Sequence, residues 1–75
     1  MTDDHQAGRA WLAAYAQRLG QAAPTDEEFE AILELAAEAA HASERVAAPV
    51  ACWLAGRVGI GLAEALDAAR KAGPS

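Results

Sequence analysis

Thr25-Asp26-Glu27-Glu28, followed by Phe29, Ile32, Leu33, Ala36 and Ala40, reads as the start of a helix and the apolar face that it carries. Thr25 is placed to accept a hydrogen bond at its side-chain oxygen from the Glu28 amide, while the Glu28 carboxylate reaches back to the Thr25 amide; this reciprocal pair is a capping box. The apolar residues recur at the three- and four-residue spacing of one helix face, and Glu27, Glu34 and Glu38 fall away from it. Composition agrees with helix. Of the 75 residues 53% are hydrophobic, much of that alanine, and only 5% are aromatic. Alanine is the strongest helix former, so this balance excludes most β architectures. With 23% charged residues, the chain has the apolar material for a core and lacks the character of a disordered tail.

Toward the N-terminus, Thr2, Asp3 or Asp4 can cap a first helix that carries Trp11, Leu12, Tyr15, Ala16 and Leu19 on one face, with Gly20 ending it and residues 21–24 forming a short connector. Toward the C-terminus, the second helix is expected to stop near residues 46–48. Pro49 disfavours the α conformation at the residue before it and suits the first turn of a third helix. Residues 49–55 carry no charge on any face, so Val50, Cys52, Trp53 and Leu54 are expected to form the central element, packed on more than one side, with Trp53 in the core. Gly56, Gly59 and Gly61 break the pattern. Leu62, Ala65, Leu66 and Ala69 then trace a fourth helix closed by Arg70, Lys71 and Gly73-Pro74. The expectation is one all-α domain over residues 1–75, a compact bundle of three to four short helices. In or beside its core would lie Trp11, Leu12, Tyr15, Leu19, Phe29, Ile32, Leu33, Ala36, Val50, Trp53, Leu54 and Leu66.

Eleven acidic residues against six basic ones give a net charge of −5 and a pI near 4.7, which repels a phosphate backbone and argues against nucleic acid as a partner. Cys52, the single cysteine, has no intramolecular disulfide partner, as suits a reducing compartment. The acidic start of the chain is followed by no long apolar segment, and the longest uncharged run, residues 46–56, falls short of the roughly 20 residues that cross a bilayer. A soluble, cytoplasmic protein without a membrane partner is expected.

Residues that could carry chemistry are few. Glu34, Glu38, His41 and Arg45 follow one another at spacings of 4, 3 and 4, which makes one polar stripe if the second helix includes them all. Such a stripe is most often a solvated row of charge pairs; a sharper reading has His41 and Arg45 facing a partner or a bound anion. Glu38 and His41 also have the Glu-x-x-His spacing of metal sites in helical bundles, although a two-metal centre would need a symmetric dimer presenting Glu34, Glu38 and His41 twice. Gly56-Arg57-Val58-Gly59-Ile60-Gly61 lacks the glycine order of a phosphate loop and follows a helix rather than a strand. Cys52, with no basic neighbour, reads as an inert thiol, and Ser43 and Ser75 have no acid-base partners placed for catalysis. No cofactor is implied, and the chain is expected not to be an enzyme. A core this small yields only about 3–5 kcal/mol, so self-association as a homodimer is a further expectation.

Leu33-Glu34-Leu35-Ala36, leading to Ala39-Ala40-His41, then Arg45-Val46-Ala47-Ala48-Pro49 and Trp53-Leu54-Ala55-Gly56, with Trp11-Leu12 ahead of them, resembles a small actinobacterial helical domain of no assigned activity. That domain occurs alone or fused to the molybdenum cofactor (molybdopterin-guanine dinucleotide) guanylyltransferase. The resemblance implies a non-enzymatic accessory or interaction module associated with molybdenum cofactor biosynthesis, with a protein as partner and that guanylyltransferase as the candidate. His41, Arg45 and the Pro49 turn would form the contact surface, since a partner needs directional donors on a rigid helix end more than it needs a cleft.

Overall fold

The computed structural model describes residues 5–74, so the expected caps Thr2, Asp3 and Asp4 lie outside the described residues. Four helices follow in order: α1 (Gln6–Arg18), α2 (Asp26–Ala42), α3 (Ala47–Val58) and α4 (Leu62–Ala72), with no strand among the described residues. The fold is all-α.

Local chemistry sets the ends of these helices. At the start of α2 the Glu28 amide donates to Thr25 Oγ1 at 3.1 Å and the Thr25 amide donates to Glu28 Oε1 at 2.8 Å, completing the capping box. Asp26, Glu27 and Glu28 place negative charge in the first turn, where the exposed N–H groups of the helix favour it. At the end of α1, Gly20 takes φ 72°; its amide donates to the Gln17 carbonyl and the Gln21 amide to the Ala16 carbonyl. Those two bonds make a Schellman motif, which needs a left-handed residue at the position Gly20 holds. Gly59 closes α3 in the same region, at φ 82°.

The second helix ends earlier than expected, at Ala42 rather than near residues 46–48, and α3 begins at Ala47, ahead of Pro49. Proline requires a break ahead of it. In a continuous helix its ring would clash with the carbonyl four residues back, that of Arg45. The chain breaks at Ser43, which leaves helical geometry at φ −136°, ψ −102°, and re-enters through Ala47 and Ala48 amides donating to the Glu44 and Arg45 carbonyls. Pro49 thereby falls in the first turn of α3, where a missing N–H costs nothing. Gly56 does not break the helix; it lies inside α3.

The central element is α2, not α3: both α3 and α4 pack along it, whereas no helix packs along α1 in that way. Its buried side chains are Phe29 and Leu35, the latter only 2% exposed. Leu33, expected in the core, is exposed, and Leu35, left out of the expected core, is its most enclosed member. Ala16 on α1 and Ala65 on α4 complete the buried set. Contrary to expectation, Trp11, Tyr15, Leu19, Val50, Trp53 and Leu54 are exposed as well, and α3 has no buried residue at all. Leu12, Ile32, Ala36 and Leu66 are half-buried.

A clamp fastens α1. The Arg9 guanidinium donates to Asp26 Oδ1 at 2.8 Å and to Glu30 Oε2 at 3.1 Å, and lies 4.1 Å from the centre of the Phe29 ring. The resulting molecule is flat, 34 × 32 × 20 Å, with a radius of gyration of 13.0 Å where a chain of this length in a compact domain has about 11.3 Å.

Candidate functional site

Helix α3 presents its small residues to α2 and its large ones to solvent. Ala48, Ala51, Cys52 and Ala55 are half-buried, and the Cys52 thiol lies 3.9 Å from the Ile32 carbonyl across the α2–α3 contact. Small side chains let two helices approach closely, so the alanine face is the one that seats against α2. The consequence is on the other side. Val46, Val50, Trp53, Leu54 and Val58 stand exposed, Trp53 at 59%. Val46, Val50, Trp53 and Arg57 follow one another at spacings of 4, 3 and 4, which aligns them along the helix, and the Arg57 guanidinium carbon sits 5.1 Å from the Trp53 ring.

Beside this face an open apolar groove of about 290 Å³ runs between α3 and α4. Leu35 lies at it from α2, Leu54 and Val58 from α3, Ile60 from the connection, and Ala65, Ala68 and Ala69 from α4. Leu54 and Val58 belong to both groove and exposed face. A second apolar exposure lies on α1, where Trp11 and Tyr15 stack with ring centres 5.1 Å apart.

The expected contact residues are placed as follows. His41 is exposed in the last turn of α2, Arg45 is exposed in the break between α2 and α3, and Pro49 is exposed in the first turn of α3. All three therefore lie at the α2–α3 junction, next to Val46. The polar stripe expected through Arg45 does not form as one helix face, because α2 ends before Arg45. In its place, Arg70 from α4 approaches Glu34 Oε2 at 3.4 Å and Glu38 Oε1 at 3.9 Å. The two carboxylates offered as metal ligands thus face a guanidinium. Among the described residues no three His, Cys, Asp or Glu side chains form a group that could hold a metal ion, so within one chain the Glu34, Glu38 and His41 set is not assembled.

Cys52 is held by packing. Burial pushes its thiol up from the ordinary value, which disfavours the thiolate that nucleophilic or redox chemistry requires. No helix of the described residues is long and apolar enough to cross a membrane.

The apolar face of α3 is visible in the sequence as the uncharged run, a signal that burial within the chain would give equally well. A run without charge marks contact with something, and the sequence does not say whether that something is the same chain. Arg9 and Arg70 were also missed as organising residues, because their partners lie 17 to 36 residues away.

The geometry defines a small all-α domain whose distinguishing feature is an apolar surface rather than a polar cleft. The chain belongs to the DUF6457 family, a domain of unknown function, whose profile matches residues 3–74. No curated protein and no solved structure matches it.

Proposed function

We propose that this chain is a non-enzymatic interaction module that works in the cytoplasm beside molybdenum cofactor biosynthesis, with the cofactor guanylyltransferase as its protein partner. One observation carries the interaction reading: His41, Arg45 and Pro49 are all exposed at one helix junction, adjoining the apolar face headed by Val46. Such a junction offers a partner two directional donors and a rigid proline turn, polar contacts of the kind that specific interfaces carry. The molybdenum part of the reading rests on the sequence resemblance alone.

Calorimetric titration of a purified molybdenum cofactor guanylyltransferase with the chain tests both parts. Binding is expected, weakened at least tenfold in a His41→Ala, Arg45→Ala double variant whose circular dichroism matches the parent. Absence of binding heat removes the molybdenum assignment. Unchanged affinity in the double variant removes the junction as the contact site.

A further inference from the structure

We infer that the exposed face of α3 is the contact surface of a homodimer, in which the α3 helices of two copies of this chain cross about a twofold axis. Surface area gives the first argument. A folded monomer of 7.8 kDa exposes about 4,400 Å². This chain exposes 5800 Å². A molecule this flat has room on one face for the ~800 Å² that each partner contributes to a standard-size interface.

Side-chain placement says where that surface lies. On α3 the large apolar residues point outward and the alanines inward, the reverse of a helix whose burial is complete within its own chain. Val46, Val50, Trp53 and Arg57 have the alternating four- and three-residue spacing by which a helix meets a second helix along a seam. The midpoint of that stripe falls between Val50 and Trp53, so a twofold axis there sets these two residues of each copy at the centre. Leu54 and Val58 flank the seam and line the α3–α4 groove, whose open side the second copy covers.

Charge permits the same surface. The chain carries 11 acidic residues, yet residues 46–63 contain none, and neither do residues 5–25. Two copies of net charge −5 repel at most approaches, and α3, like α1, lets them meet without opposing carboxylates. The dimer presents the His41, Arg45 and Pro49 junction twice, but it does not depend on what binds there.

Sedimentation equilibrium of the chain alone, from micromolar to millimolar concentration, reads the proposal directly. The expected result is a monomer–dimer equilibrium that tightens with added salt, as screening weakens the repulsion between the two acidic copies. Val50→Glu, at an exposed position of the single chain, is expected to raise the dimer dissociation constant at least tenfold without loss of helical signal. If that variant fails to fold, a Trp11→Phe chain with Trp53 as its only tryptophan replaces it: Trp53 emission should shift to the red on dilution as the dimer separates. A single-chain mass at millimolar concentration overturns the proposal. So does a dimer that a folded Val50→Glu variant leaves intact, or one whose dissociation leaves Trp53 emission unmoved.

Discussion

Leu33 and Leu35 stand two residues apart on α2, and replacing each with alanine separates the packing described above from one that the spacing of apolar residues alone would suggest. Leu35 is 2% exposed and lies beneath both α3 and α4, whereas Leu33 is 40% exposed. A buried leucine cut back to alanine costs about 2–5 kcal/mol, the transfer of the lost methyl groups plus the cavity left behind. At Leu35 the groove between α3 and α4 opens onto the site, so collapse and hydration relieve part of the cavity, and the expected cost is about 2–3 kcal/mol. At Leu33 little is removed from contact, and the expected cost is about 1 kcal/mol or less. Against a total of about 3–5 kcal/mol for a domain of this size, Leu35→Ala should leave a visibly unfolded fraction at room temperature, and Leu33→Ala should not. Urea unfolding followed by helical circular dichroism, at a concentration where the chain is monomeric, measures both. A cost at Leu33 equal to or greater than that at Leu35 would refute the placement of α3 and α4 on α2.

Three further outcomes follow from local geometry. Gly56→Ala, inside α3 with no atom near the added methyl group, should stabilise the helix by about 0.5–1 kcal/mol, while Gly59→Ala, at φ 82°, should cost about 1 kcal/mol or more; thermal melts that move in the same direction for both would contradict the α3 terminus. Arg9→Ala removes two exposed ion pairs and a ring contact, together about 1–2 kcal/mol, and should release α1 first, so amide exchange should quicken across residues 6–18 before the other helices; uniform protection in the variant would show that α1 is held by something else. Because burial raises the Cys52 thiol in the folded chain, the unfolded chain loses its proton at lower pH, and stability from this group, complete below the ordinary thiol range, falls as pH rises through and above it. Alkylation by iodoacetamide at mildly alkaline pH should accordingly run slower than in urea, and equal rates would exclude the packing of Cys52 against α2.

Short-range chemistry was legible in the sequence by itself. The Thr25–Glu28 box, the Gly20 and Gly59 stops and the place of Pro49 in a first turn each depend on a few neighbouring residues, so the order of four helices and the all-α class could be read without knowing how they meet. Which faces are buried was a different matter. An apolar residue is enclosed only if another element arrives over it. Two helices reach α2, which widens its buried arc to include Leu35; only α2 covers α3, and the alanine face that permits close approach takes that contact. Val50, Trp53 and Leu54 are left outside for that reason. The same holds for charge: Arg9 on Asp26 and Glu30, and Arg70 beside Glu34 and Glu38, join residues far apart in the chain, so no local spacing announces them. The sequence determined the helix ends that a cap or a left-handed glycine marks, those at Thr25, Gly20 and Gly59, because such ends are settled by local hydrogen bonds and backbone sterics. Tertiary structure alone decided which apolar residues form a core and which form a surface for another molecule, because burial is a property of what packs against a helix and not of the helix itself.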